Sequence, residues 1–329
     1  MEPISRFVSF ILSARVLVYK MHSASPTVSV VIPHFEAPEL LRDALSSVES
    51  QTYDHIKCIV VDDCSDCDIR SVVDEYANTR LKIHEKNQGA AATRNTGISL
   101  AEGEYIAFLD VDDTWDNRKI EAQVAIFEKN NENVGLVYSG FEQVFPDKVS
   151  ITHDPVYRGN IYKKELEKDR IHPTSTVMVR NDVLEEVGGF NENLPARQDY
   201  ELWLRVTEKY SVDVVDQILV TKIERKDNIS NDYTRRIEGD LLVLEFVQKK
   251  INDHQISWIL RRKIVSYHHY LIGRDYDLLG DRNKSLRHII QSLLLYPLRV
   301  ETWGMVLILL LGINRKGRVF RQIKRLIGQ

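Results

Sequence analysis

Hydrophobic and polar positions alternate between two periods along the first half of the chain. Val28-Ser29-Val30-Val31-Ile32 is a short β-branched run closed by Pro33, and it predicts a buried strand. Pro38 then opens a helical pattern with Leu40, Leu41, Ala44, Leu45 and Val48 on one face. The runs Ile56–Val61, Leu81–His84 and Glu104–Leu109 predict three more strands. Helical patterns lie between or after them, over Asp68–Tyr76, from Gly89 through Ala101, and over Asn117–Glu128. Strand alternating with helix predicts an α/β fold with a Rossmann-like, mainly parallel sheet. In such sheets ligands bind outside the carboxyl ends of the strands. Two of these strands run straight into acids, Asp62-Asp63 and Asp110-Val111-Asp112-Asp113.

Beyond about residue 133 the pattern changes. Val134–Tyr138, Ser175–Val179 and Val212–Thr221 predict strands, and Val183–Val187 and Tyr200–Tyr210 predict helices. From about 232 onward the chain reads as almost wholly helical, with apolar positions near Leu241, Leu244, Ile259, Ile264, Tyr267, Leu271, Leu286, Ile290 and Leu293. A boundary is expected near Ser230-Asn231. The expected organisation is an N-terminal amphipathic segment over 1–26, a catalytic domain over 27–230 and a helical region over 231–329.

Composition narrows the class. The chain has 329 residues, 43% of them hydrophobic and 28% charged, as in a globular protein with a sizeable core. A net charge of -4 does not suggest a whole-protein nucleic-acid binder. The first 20 or so residues are apolar but interrupted by Arg6 and Arg15, which fits an interfacial helix or one packed on the body. Near the other end, Trp303 and Val306–Leu311 precede the basic stretch Arg315–Arg325, a pairing that suits either an anionic membrane surface or a helical bundle with a solvated basic face. Cys64 and Cys67 have a C-x-x-C spacing, but a zinc site would want a second pair, and the thiols are expected to be reduced and structurally incidental. His172, His268 and His269 are expected to be structural.

Three acidic groups are candidates for chemistry. Asp62 and Asp63 end a strand, where a carboxylate can accept hydrogen bonds from a base or ribose and where Asp is also an ordinary turn residue. Asp110, Asp112 and Asp113 repel one another, and a hard cation such as Mg²⁺ or Mn²⁺ would relieve that repulsion while leaving room for phosphate oxygens. Asp199, in Arg197-Gln198-Asp199-Tyr200-Glu201-Leu202-Trp203-Leu204-Arg205, stands at an expected helix start, where capping is its ordinary role.

The order of these groups over residues 27 to 230 resembles glycosyltransferase family 2, inverting enzymes of the GT-A fold. The resemblance rests on Val28–Pro33, Ser50-Gln51-Thr52-Tyr53, Val60–Asp63, Asn87-Gln88-Gly89, Arg94–Ile98, Ala101–Asp113, Val187-Gly188-Gly189-Phe190 and Asp199–Arg205. It implies a nucleotide-sugar site formed by Pro33, Phe35, Glu36, Asp63, Arg94 and Asp110. Phe35 would pack on the base, Asp63 would accept its hydrogen bond, and Arg94 would lie near the nucleotide. Asp112 would bind Mn²⁺ or Mg²⁺ with Asp110 beside it, Asp199 would be the catalytic base, and Trp203 and Arg205 would shape the acceptor side or pack the helix. The implied partners are a nucleoside-diphosphate sugar, UDP-linked by preference, and a glycan or lipid-linked glycan acceptor. Such a chain would work in the cytoplasm, at the inner face of the plasma membrane. His34-Phe35-Glu36 departs from the family's usual Tyr-Asn pair, and Cys64 stands where glycine is common. A nucleotidyltransferase would carry a Gly-rich basic loop after the first strand, where this chain has Pro33–Pro38. A catalytically degenerate nucleotide-sugar-binding scaffold would not need the acids.

Overall fold

The computed structural model describes residues 25–129, 133–147, 149–224 and 232–312. The interfacial segment expected near the N-terminus falls almost wholly outside them, and so do the boundary at Ser230-Asn231 and the basic stretch Arg315–Arg325.

Among the described residues nine strands form one mixed sheet. Strand β1 (Val28–His34) lies between β2 (Ile56–Asp62) and β4 (Tyr105–Phe108), and β3 (Thr79–Ile83) flanks β2; all three pairings are parallel. Strand β8 (Val177–Arg180) then joins β4 to β6 (Val134–Val144) by antiparallel pairing on both sides. Strand β9 (Ser211–Ile223) runs parallel to β6, and the short β5 (Asp113–Trp115) closes the far edge antiparallel to β9. A hairpin strand β7 (Ser150–His153) pairs only with β6. The parallel half matches the expected alternation. The short strands β5 and β7 do not carry enough residues for a period to be read, and the expected start of a strand at Ser175 is a 3₁₀ turn, Thr174–Thr176, that precedes β8.

Central β1 is buried on both sides, which is why it reads as an unbroken β-branched run. Val28, Val30 and Ile32 face helix α1 (Pro38–Glu49) through Leu41, Leu45 and Val48. Val31 points the other way, onto Ile106 and Phe108 and onto helix α3 (Ala90–Leu100). Between these lies α2 (Arg70–Val73), shorter than the pattern predicted, with only Val72 and Val73 buried. Helix α4 (Lys119–Lys129) covers the α1 side, while α5 (Tyr162–Glu167), α6 (Asn181–Val187) and α7 (Gln198–Lys209) lie toward the other.

The C-terminal helices are α8 (Tyr233–Asp253), α9 (Trp258–Leu279), α10 (Arg282–Leu295) and α11 (Val300–Leu310). Asp232, Ser257 and Asp281 cap the first three through backbone amides at their starts. Helices α8 and α9 share a core with the sheet body, in which Tyr162, Leu166, Tyr200 and Leu204 pack with Val243, Val247 and Ile264. Of the apolar positions read in this region, Ile259, Leu286 and Ile290 stay exposed. No helix among the described residues is long and apolar enough to cross a membrane.

Gly103 shows how closely α3 and β4 are tied to β1. A Cβ there would lie 2.6 Å from both the Ser29 amide nitrogen and the Thr27 carbonyl oxygen, backbone atoms of the central strand region. Gly103→Ala is therefore expected to destabilise by about 1–3 kcal/mol, read as a lower urea midpoint at unchanged m-value.

Candidate active site

Because β1, β2 and β4 run parallel, their carboxyl ends open at one edge of the sheet, and the acids that follow them meet there. His34, at the end of β1, is 1% exposed. Its Nε2 accepts the Ala37 amide at 3.1 Å, which leaves Nδ1 to donate to Asp62 at 2.7 Å. Burial works against the Asp62 charge, but hydrogen bonds from Ser65 and His34 outweigh it and hold the carboxyl below its ordinary range. Glu36, at φ 51°, accepts the Asp66 amide at 2.7 Å and donates its own amide to Ser65, so the 34–36 and 62–66 loops form one wall. Pro33 is partly covered within β1, and the Phe35 ring is 50% exposed at the mouth of that wall.

Asp63 is more occupied than its expected role implies. It is 4% exposed, and its oxygens accept the Gln88 amide at 2.8 Å, the Gly89 amide at 2.7 Å and His84 Nδ1 at 2.8 Å. A carboxylate offers about four acceptor positions, so about one is left for a nucleobase. The same contacts fix Gly89 at φ 89°, where α3 begins.

The 110–113 acids divide by orientation. Asp113 is 1% exposed and belongs to β5, accepting from Ser175 Oγ at 2.6 Å. Burial, reinforced by Asp110 and Asp112 and opposed by the cross-strand Lys222, pushes its carboxyl up to about 8. Burial thus works against a full negative charge on the third carboxyl, which eases the repulsion expected of the three. Asp110 and Asp112 stay at the rim, partly exposed. Arg94 donates to Asp110 at 2.5 Å with its side chain only 11% exposed, so it acts through that carboxylate from inside the wall. Burial opposes the Arg94 charge, and Asp110, Asp199 and Asp112 together more than restore it. Of the three, Asp110 bonds the guanidinium directly.

Asp199 lies in the first turn of α7 but is not its cap; Arg197 holds that position. Its Oδ2 accepts from Thr174 Oγ1 at 3.3 Å. The adjacent Ser175 accepts the Asp110 amide at 3.0 Å and donates to Asp113. One turn, Thr174-Ser175, thus holds Asp199 on one side and the 110–113 loop on the other. Neither residue announced itself in the sequence, since ordinary hydroxyl residues 25, 62 or 65 positions from their partners leave no local signal.

Of the two roles expected of Trp203 and Arg205, their contacts match packing. Trp203 is 0% exposed, packed between Phe108 and Phe190 at 6.4 and 6.2 Å. Arg205 donates to the carbonyls of Val187, Gly188 and Gly189 at 2.6, 3.0 and 2.6 Å and pairs with Glu201, holding the Gly-Gly turn.

Asp110 and Asp112 are hard oxygen donors, and among the described residues no group of three potential ligands forms a closed cage. That donor set fits Mg²⁺ or Mn²⁺ held by few protein ligands, with other positions left to water and phosphate oxygens. Beside the rim, a cavity of about 610 Å³ opens between Gly89, the 192–198 loop and Arg235 and Glu238 of α8.

The model of glycosyl transferase family 2 matches residues 29–188. The UDP-Glc:alpha-D-GlcNAc-diphosphoundecaprenol beta-1,3-glucosyltransferase of Escherichia coli is 31% identical over 191 residues, covering 57% of this chain and 73% of that protein. The chain belongs to glycosyltransferase family 2. An uncharacterized glycosyltransferase of Rickettsia felis is 30% identical over 203 residues, 59% of this family 2 chain and 34% of the relative. The chain likewise spans 36% and 33% of two further Rickettsia relatives, about a third of their length. Two solved structures share the GT-A fold. Staphylococcus aureus TarS 1-349 in complex with UDP-GlcNAc has a TM-score of 0.63 at 16% identity, covering 83% of this chain and 82% of that one. The mannosyltransferase PcManGT of Pyrobaculum calidifontis, in complex with GDP-Man and Mn2+, has a TM-score of 0.59 at 16% identity, covering 92% and 84%.

Near Asp199, the Asp169 carboxyl is pushed up to about 8, by burial first and by Asp199 second. An unfolded Asp ionises near pH 4, so the folded form holds the extra proton between about pH 4 and 8, and stability falls as pH rises through that window. Asp169→Asn is expected to flatten this decline, so that Tm drops less between pH 5 and pH 8 than in the unsubstituted protein. An unchanged pH slope in thermal melts would count against it.

Proposed function

We propose that this chain transfers a glycosyl group from a nucleoside-diphosphate sugar, UDP-linked by preference, to a hydroxyl of a glycan or lipid-linked glycan acceptor with inversion. The observation that carries the reading is the Thr174-Ser175 turn, which holds Asp199 and the Asp110–Asp113 loop at one rim. The names of related proteins support the substrate class, since one relative uses UDP-Glc and a diphosphoundecaprenol acceptor and one structural neighbour was solved with UDP-GlcNAc.

In this reading Phe35 packs on the base at the mouth, between Pro33 and the Glu36 loop, and Asp63 offers its remaining acceptor position. A Mn²⁺ or Mg²⁺ ion held by Asp110 and Asp112 would neutralise charge on the diphosphate. Arg94 holds Asp110 in place. Asp199 takes the proton of the acceptor hydroxyl as its oxygen attacks the anomeric carbon, and a single displacement inverts that centre. The acceptor comes from the side of the α8 cavity.

The reading extends to a membrane surface. Leu298, Val300, Trp303, Leu307, Leu310 and Leu311, on and around α11, are all more than half exposed. An apolar, tryptophan-bearing face next to a basic stretch suits contact with the cytoplasmic leaflet, where a lipid-linked acceptor would be presented.

Asp199→Asn is expected to lower transfer by ~10²–10⁴-fold while UDP and Mn²⁺ still raise the melting temperature. Asp112→Asn is expected to abolish the metal-dependent part of that rise, which for the unsubstituted chain at a hundredfold excess over Kd corresponds to ~2.7 kcal/mol. Turnover of wild-type size in Asp199→Asn, or no stabilisation by any nucleotide sugar with metal, would overturn the reading.

A further inference from the structure

The residue two before Asp199 has an unusual backbone. Arg197 is a non-glycine residue at φ 66°, in the left-handed region, and it is the N-cap of α7. L side chains enter this region at a cost, so something outside the loop must hold it there. That something is α8. Arg197 donates through Nε to Asp240 Oδ1 at 2.7 Å and through Nη2 to Oδ2 at 3.3 Å, a forked contact with a carboxylate that is 2% exposed. The neighbouring Gly239 brings the helix backbone against the loop, and a Cβ there would lie 2.6 Å from the Ala196 carbonyl oxygen. Helix α8 is anchored in turn, since Arg236 reaches Asp275 of α9 at 2.8 Å and Arg274 reaches the same carboxylate at 2.8 Å.

The donor side of the rim does not depend on this contact. The 110–113 loop is held by Ser175, Arg94 and β9, all within the sheet body. Asp199 accepts the Tyr200 amide of its own helix at 2.8 Å and Thr174 Oγ1 at 3.3 Å, and the chain reaching it comes directly from Arg197.

We propose that Arg197 and Asp240 are a positioning pair through which the C-terminal helices set the carboxylate of Asp199 in its working place. The inference rests on the reading of Asp199 as the base. Neither member touches the reacting groups; each acts through the backbone that carries Asp199. A shift of about 1 Å in such a group costs on the order of 10²-fold in turnover.

The test uses the full chain carrying Asp240→Asn, which keeps the volume and removes the charge, together with Asp199→Asn and the double variant. Transfer to acceptor, donor KM and the Kd for UDP with Mn²⁺ are measured on each, with residual turnover read at high enzyme concentration. Asp240→Asn is expected to lower kcat on the order of 10²-fold with donor KM and UDP affinity unchanged, and to add little in the Asp199→Asn background. A wild-type kcat in Asp240→Asn would overturn the pair's role. The same factor of loss with and without Asp199 would do so too, because the pair would then act elsewhere. Wild-type turnover in Asp199→Asn alone would instead remove the base assignment, and it is read independently of Asp240. Should Asp240→Asn fail to fold, Arg197→Lys keeps a cation within reach while losing the fork, and the same measurements apply.

Discussion

The constraint on which this structure depends is electrostatic. Parallel strands end together, so the acids that follow β2 and β4 are brought to one edge, with Asp199 arriving from α7. At an effective dielectric near 20, two carboxylates 4 Å apart repel by ~4 kcal/mol, and the fold must answer each charge separately. The answers differ in kind. Asp62 has a histidine and a serine, Asp63 has backbone amides and a second histidine, Asp113 is buried on the Ser175 hydroxyl with its carboxyl pushed up, and Asp110 has an arginine. Asp110, Asp112 and Asp199 remain partly exposed at the rim, and in the proposed reading these are the carboxylates that would carry function.

The sequence disclosed this unevenly, for a physical reason. Burial on both faces makes β1, β2 and β4 read as continuous apolar runs, and an aspartate directly after such a run can lie only at the sheet edge. The position of these acids at the sheet edge was therefore legible, and so was the helix that bears Asp199. The internal sorting was not. Asp110, Asp112 and Asp113 look alike as letters, and only the pairing of β5 with β9 turns Asp113 inward. Trp203 and Arg205, on the helix of Asp199, were open to an acceptor-side or a packing role, and letters alone cannot say that Trp203 lies on the buried face or that Arg205 reaches back to the 187–189 carbonyls. Thr174 and Ser175 carried no pattern because their partners are distant along the chain.

The first two helices of the C-terminal region pack directly on the body. Tyr200 and Leu204, on the helix of Asp199, share a core with Val243, Val247 and Ile264. Tyr200 also donates its hydroxyl to the Glu165 carbonyl at 2.7 Å, and His268 of α9 bonds the carbonyl of Leu166 on the same short helix, α5. Apolar burial of this kind is non-directional and places α8 against the body without setting the angle of any one side chain. The polar contacts set that angle, because a forked guanidinium–carboxylate pair tolerates little rotation.

A division of labour follows from where each contact originates. Groups that would meet the donor are fixed by strands β1, β2 and β4 and by the Ser175 turn, a rigid block whose close packing leaves no room even for a methyl at Gly103. The group that would meet the acceptor is fixed jointly by that block and by α8, which also forms a wall of the neighbouring cavity. In the proposed reading, a change in α8 would alter the acceptor's surroundings and the setting of Asp199 together, while Asp110 stays held by Arg94 and Ser175. The coupling has a cost as well. A helix free to change for a new acceptor must keep Gly239 and Asp240 where they are, since one admits the loop and the other holds it.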